Sequence, residues 1–239
     1  MTQDQHLIDT ITSELQQHAD PDYRELVRQR YNMNVDNFWG VRTPVIHKVA
    51  NRHYASIKSL PIDQRLAACR HLLETRVYEH KIAAFRWGYR SRKDLEPSHL
   101  PVLRDWLNTY VDDWIDCDDL CLHVLGEFFL RYPDLATQTR MFTDSPNRWM
   151  RRGAAVSIIL PVRKGMHLEL ALAIADRLMH DQDDLVQKGY GWLLKEAGKT
   201  HTTEVFNYVM RHRATMPRTA LRYALEKMPA ELRRTAMGK

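Results

Sequence analysis

The sequence has little of what β-hairpins, disulfide frameworks and membrane spans require. Its 239 residues include nine glycines but no Asn-Gly or Asp-Gly pair and no alternating β-branched run, which argues against β-hairpins. Three cysteines are too few and odd in number for a disulfide framework, and they fit a reducing compartment. No stretch approaches the roughly 20 apolar residues of a membrane span, and the polar N-terminus is unlike a signal peptide. We therefore expect a cytoplasmic protein.

Apolar residues recur instead at helical spacing along the chain. Three such sets are Leu66, Cys69, Leu72 and Leu73; Leu120, Val124, Leu125, Phe128 and Phe129; and Leu168, Leu172, Ala175 and Leu178. Polar segments with proline interrupt them at 42–44, 96–98, 132–134, 145–147 and 216–217, and several of these are typical of helix starts. The pattern predicts an all-α fold that forms a single domain over residues 1–239.

A degenerate repeat also runs through the predicted helices. A basic residue followed by small or apolar residues occurs at Lys48, Lys81, Arg152, Lys188 and Arg222, at spacings of 33, 71, 36 and 34. The spacing of 71 is close to two periods, so one repeat is hidden near residue 117, where Asp118 stands. A period in the mid-thirties with two helices per unit predicts a HEAT-like α-solenoid. We call these six positions the repeat slots and expect them along one concave face.

The charges of the repeat slots indicate a polyanionic partner. Five of the six are Lys or Arg, and the formal net charge of the chain is +5. A groove lined with such cations fits a phosphate backbone, so we expect a nucleic acid as the partner, with no membrane and no obligate protein partner. The alternative for each cation is a structural ion pair with a residue such as Glu79, Asp183 or Asp184.

The acidic exception among the slots suggests chemistry. Asp118 belongs to a group of five carboxylates within eight residues, which a polyanion-binding groove should avoid unless one of them has a task. On a helix Trp114 and Asp118 share a face, so an indole and a carboxylate could act on one sugar or base. The alternatives are that Asp112 and Asp113 cap a helix, that Asp116 and Asp119 are solvated, and that Trp114 belongs to the core.

Other aromatic and basic residues surround these slots. Arg151 adjoins Arg152, with Trp149 before them and a cap expected at Asn147 or Ser145. Trp192 follows Lys188 by four residues, so it shares that helix face and packs either on DNA or in the core. Cys117 and Cys121 lack a second pair of ligands for zinc, and buried thiols are the favoured interpretation. We expect no metal and no cofactor.

At these residues the chain resembles the AlkD branch of the HEAT-like alkylpurine DNA glycosylases. The resemblance runs from about residue 23 to residue 222 and depends on several short segments in order. These segments are FWGVRTP at 38–44, WIDCD at 114–118, GEFFL at 126–130, NRWMRRGAA at 147–155 and QKGYGW at 187–192.

The resemblance implies an activity and a set of site residues. It implies removal of cationic N3- and N7-alkylpurines from duplex DNA without extrusion of the damaged base. The catalytic carboxylate matches Asp118, the active-site tryptophans match Trp114 and Trp192, and the active-site arginine matches Arg152. A DNA-facing tyrosine matches Tyr31. The extra acids Asp116 and Asp119 depart from the pattern and leave the range of lesions open.

The resemblance and the residue pattern together favour a monomeric DNA repair glycosylase. Its expected catalytic residues are Asp118, Trp114, Arg152 and Trp192, and its expected DNA contacts are Tyr31, Lys48, Lys81, Arg151, Lys188 and Arg222. The alternative is a non-catalytic HEAT-like scaffold that binds DNA or protein, which would explain the basic slots but not the acid beside Trp114. Walker, HExxH and GxSxG motifs are absent from the sequence, which disfavours other enzyme classes.

Overall fold

The structure is a computed structural model that describes residues 3–31 and 35–238. Within these ranges the chain forms helices and no β-strand, as the helical periodicity predicts. The α-helices are α1 (Gln3–Gln16), α2 (Pro21–Tyr31), α3 (Thr43–Ile57), α4 (Ile62–Glu74), α5 (Tyr78–Arg90), α6 (Leu100–Thr109), α7 (Trp114–Asp119), α8 (Gly126–Arg131), α9 (Arg148–Val156), α10 (Ile159–Arg163), α11 (Leu168–Leu178), α12 (Asp184–Ala197), α13 (Thr202–His212), α14 (Arg218–Leu225) and α15 (Ala230–Met237). Helical turns of 3₁₀ type span Pro97–His99 and Pro133–Asp144, and a π-helical segment spans Leu120–Leu125.

Helix starts follow the proline-containing segments. Helix α3 begins at Thr43 with Pro44 in its first turn, and α14 begins directly after Pro217. The Asn147 side chain caps α9, where its Oδ1 accepts the Trp149 backbone N–H at 2.9 Å. Proline lacks the N–H that a first helical turn leaves unpaired, which is why these boundaries can be read from sequence.

The chain divides into two compact units, Met1–Asp119 and Leu120–Lys239. In the first unit α3 packs against α1 and α5, and α5 also packs against α4 and α7. The core of this unit contains Leu72, Ile82, Phe85, Trp87 and Trp106, all fully buried or nearly so. The Trp87 indole N–H donates to the Ala50 carbonyl at 2.7 Å and so links α5 to α3.

In the second unit α12 is the central helix. It packs against α9, α10, α11 and α14, and its buried residues include Tyr190, Leu193 and Leu194. Gly191 permits the close approach of α14, because a Cβ there would lie 2.7 Å from the Tyr223 Cβ. The apolar set on α11 is shifted relative to its prediction, since Leu168 and Leu172 are half-buried while Leu170 and Ile174 are buried.

Helices that carry the repeat slots are neighbours within each unit. Helices α3, α5 and α7 follow one another by contact in the first unit, and α9, α12 and α14 do so in the second. None of the helices in the described part of the chain has the length and apolarity of a membrane-spanning segment.

We predict that Asn147→Ala lowers the free energy of unfolding by about 1 kcal/mol, because the first turn of α9 loses its side-chain cap. Asn147→Asp should keep most of the stability, since a carboxylate accepts the same N–H bond. Chemical denaturation of the three proteins measures the difference. Equal stability of wild type and Asn147→Ala would contradict the assigned cap.

Candidate active site

The turn before α7 is built by its own carboxylates. Asp113 Oδ1 accepts the Ile115 backbone N–H at 2.9 Å and so caps the helix, which confirms the capping interpretation for this residue. Asp116 turns back on the same segment, and its Oδ1 accepts the Asp113 N–H at 3.0 Å. Asp116 is fully buried, so the alternative in which this acid is solvated is wrong. The two carboxylates fix the start of the helix that carries Trp114 and Asp118.

Lys81 neutralises this buried acid. Its Nζ lies 2.5 Å from Asp116 Oδ2 and also forms an ion pair with Asp112, which is mostly exposed. The lysine is itself only 2% exposed, and its ammonium is held by two carboxylates. The expected DNA contact of Lys81 is therefore not supported, and we assign this residue a structural role that joins α5 to α7.

Burial changes the ionisation of two acids in this segment. It raises the pKa of Asp116 to about 7, although the charge and hydrogen bond of Lys81 oppose the shift. Burial likewise raises the pKa of Asp119 to about 7, opposed by Arg86 and assisted by the nearby charges of Asp116 and Asp118. Burial therefore disfavours the ionised form of both acids, and the charges of Lys81 and Arg86 oppose this effect.

Three expected site residues of the first unit come together. Trp114 is the first residue of α7 and Asp118 is the last but one. The two lie one turn apart on the same helix face, and both are half-buried. The Tyr31 ring, 44% exposed, meets the Trp114 indole edge to face with their centroids 6.1 Å apart. The exposed phenol of Tyr31 thus lies beside the Trp114 indole, and the half-buried Asp118 follows one turn later on α7.

The remaining slots differ in how accessible they are. Lys48 on α3 and Arg222 on α14 are exposed. Lys188 on α12 is half-buried, and its Nζ pairs with Asp184 Oδ2 at 2.6 Å, one helical turn away. That pair is a surface i,i+4 contact of small energy, so it leaves the lysine able to exchange its partner for a phosphate.

The two arginines of α9 are engaged within the second unit. Arg151 Nε lies 2.6 Å from Asp181 Oδ2, and its Nη1 donates to the carbonyls of Ser145 and Pro146. Its expected DNA contact is not supported by this arrangement, because the guanidinium already closes the loop before α9. Arg152 is 5% exposed and donates from Nη1 to the Leu185 carbonyl at 2.5 Å. Gly189 lets the arginine lie against α12, since a Cβ there would be 3.3 Å from Arg152 Cγ.

Trp192 is half-buried on α12. Its indole Nε1 donates to Glu196 Oε1 at 3.2 Å. Glu196 is not among the residues predicted from the sequence. Its position four residues after Trp192, on the same face of a predicted helix, could have indicated this contact. Lys199 lies three residues after Glu196, which is also a local signal, whereas Arg163 reaches Glu196 only through tertiary packing.

An all-helical structure of similar topology is known. The chain matches a predicted DNA alkylation repair enzyme from Enterococcus faecalis with a TM-score of 0.76 at 13% sequence identity, covering 89% of this chain and 98% of the other. At that identity the likeness defines the class of fold, an all-helical one.

A sequence profile of the DNA alkylation repair enzyme family matches residues 11–228. The chain therefore belongs to the DNA alkylation repair enzyme family. No curated protein sequence matches it.

We predict that Lys81→Met destabilises the protein by about 3–5 kcal/mol at pH 8, because it leaves Asp116 buried without a counter-charge. The loss should shrink as the pH falls. In the wild type, burial raises the pKa of Asp116 to about 7 against an ordinary value of 3.8, and Lys81 opposes that rise. In Lys81→Met the pKa of Asp116 is therefore higher still, so its carboxyl is protonated as the pH falls and no longer needs a counter-charge. A folded pKa above the unfolded value contributes stability that is complete below about 3.8 and is lost as the pH rises through the folded pKa.

Thermal unfolding of Lys81→Met and wild type between pH 5 and pH 8 measures this effect. The exposed Lys48→Met serves as the control for loss of a lysine charge and should change stability by less than about 0.5 kcal/mol. A Lys81→Met protein as stable as the control at pH 8 would contradict the structural role of Lys81.

Proposed function

We propose that this protein is a DNA glycosylase that hydrolyses the N-glycosidic bond of cationic N3- and N7-alkylated purines in duplex DNA, without extruding the damaged nucleotide. Membership of the DNA alkylation repair enzyme family supports a DNA substrate. The catalytic role that we propose for Asp118 is supported by its position on α7. This half-buried carboxylate lies one turn after Trp114, next to three acids that build the turn and its ion pair.

The chemistry requires little beyond one positioned carboxylate. An alkylated purine that already carries a positive charge can leave without protonation, so no general acid is needed. As the bond stretches, positive charge develops on the deoxyribose, as in an oxocarbenium-like transition state. Asp118 stabilises this charge and orients the attacking water. Trp114 packs on the sugar, and the exposed ring of Tyr31 extends this aromatic surface toward the DNA.

Two residues of the second unit complete the proposal, and both are assigned by the family resemblance. Trp192 packs on the deoxyribose and shields it from water. Arg152 binds a phosphate near the lesion. The Arg152 side chain is 5% exposed and donates to the Leu185 carbonyl, so its assignment as a phosphate contact depends on the resemblance alone.

We further propose that the helices form a HEAT-like solenoid whose basic concave face binds the duplex. The contacts of consecutive slot helices within each unit support this architecture. Lys48, Lys188 and Arg222 supply the phosphate contacts in this proposal, because their side chains are at least partly accessible. Lys81 is left out because it is buried and held by two carboxylates, and Arg151 because its guanidinium binds Asp181 and two backbone carbonyls.

We predict that the wild-type protein releases free base from a duplex containing one N7-methylguanine and leaves an abasic site. Asp118→Asn should slow release by about 100-fold or more, since a preorganised charge at the transition state is lost. A single-turnover time course measures both rates. Asp105→Asn, an exposed acid on α6, is the matched control and should retain the wild-type rate.

Two outcomes would overturn this proposal in different ways. Release by Asp118→Asn at the wild-type rate would remove Asp118 from the chemistry. Wild-type binding to the duplex without any release of base, for 3-methyladenine as well as 7-methylguanine, would favour the non-catalytic scaffold.

We predict that Lys48→Ala and Arg222→Ala each flatten the dependence of DNA affinity on salt concentration by roughly one unit of log–log slope, because each removes one phosphate contact. Fluorescence anisotropy between about 50 and 200 mM salt measures the slope. Lys227→Ala removes an exposed charge that already pairs with Glu226 and serves as the control. Slopes equal to that of the control would place both residues outside the interface.

A further inference from the structure

The buried carboxylate of Glu196 accepts hydrogen bonds from three side chains. The residue is 3% exposed. Its Oε2 accepts hydrogen bonds from Arg163 Nε at 2.8 Å and Lys199 Nζ at 2.7 Å. Its Oε1 accepts the Trp192 indole N–H at 3.2 Å. All four residues belong to the second unit, and two of them, Trp192 and Glu196, are one turn apart on α12.

Arg163 and Lys199 stabilise the ionised form of the Glu196 carboxylate. Burial acts to raise the pKa of Glu196, but the hydrogen bonds and charges of Arg163 and Lys199 outweigh it and lower the pKa to about 2. Glu196 is therefore ionised throughout the neutral range. An ionised acceptor forms a stronger bond with an N–H donor than a neutral one does.

From this geometry we infer that Glu196 is a positioning residue for Trp192, one that fixes the plane of the indole and enriches its electron density. Arg163 and Lys199 fix the carboxylate, and the carboxylate fixes the indole nitrogen. An indole that donates to an anion presents a more negative π face, which attracts a cationic sugar or base more strongly. The inference rests on the proposed function, in which Trp192 packs against the sugar as it becomes positive.

A purely structural role for Glu196 makes a different prediction. If the carboxylate served only to tie α10 to the end of α12, its removal would affect the protein equally whether or not residue 192 carries an N–H. If it acts through the indole, its effect must disappear when the N–H is removed. A double-mutant cycle with Trp192→Phe separates the two roles, since phenylalanine keeps an aromatic ring but has no donor.

The first measurement is single-turnover release of N7-methylguanine by wild type, Glu196→Gln, Trp192→Phe and the double variant, at a temperature where circular dichroism shows all four folded. We expect Glu196→Gln to slow release by about tenfold or more, as small misplacements of a positioning group do. In the Trp192→Phe background we expect it to slow release by less than about twofold. An equal fold-change in both backgrounds would overturn the inference.

The second measurement does not depend on catalysis. In ¹⁵N-labelled protein the Trp192 indole N–H should exchange with solvent about tenfold more slowly in wild type than in Glu196→Gln, because a neutral amide oxygen accepts this bond more weakly than a carboxylate does, and the bond must open before exchange. Glu226→Gln should leave this exchange rate unchanged. This control alters an exposed acid that follows α14 and pairs with Lys195 of α12. Equal exchange in wild type and Glu196→Gln would overturn the positioning role. If no base is released by any variant while exchange differs as expected, the proposed function fails and the contact stands.

Discussion

The first unit depends on one buried ion pair. Asp116 is fully buried beneath the turn before α7, and burial of an ionised group is costly unless a charge partner and hydrogen bonds accompany it. Lys81 from α5 supplies the charge, and backbone N–H groups of the turn supply hydrogen bonds. This constraint orders the start of α7 and therefore the direction in which Trp114 and Asp118 leave the helix.

The second unit solves a similar problem at Glu196. There too cations neutralise a buried carboxylate, Arg163 from α10 and Lys199 from the turn that follows α12, and there too the acid contacts a tryptophan of the proposed site. In both units the residues expected to touch DNA are thus ordered by acids that would not touch it. Rigid support of this kind is what a site requires if its groups are to be in place before the substrate arrives.

Much of the fold could be predicted from the sequence. Helical periodicity, the scarcity of glycine and the proline-containing breaks depend on local backbone geometry, which is why the all-α class and starts such as those of α3 and α14 are confirmed. The π-helical segment at Leu120–Leu125 was not predicted, because its apolar pattern also fits a regular α-helix. The division into two units at Asp119 was not predicted either.

In the candidate site, too, some features follow from local sequence and others from tertiary packing. Helical spacing in the sequence is enough to predict that Trp114 and Asp118 share a face and that Asp113 can cap a helix. Which charges are already paired depends on tertiary packing. Lys81 and Arg151 look like DNA contacts in sequence, yet their partners Asp116 and Asp181 come from other segments. The reason is physical: helical spacing is a local property, whereas the burial and pairing of a charge depend on which distant segment packs against it.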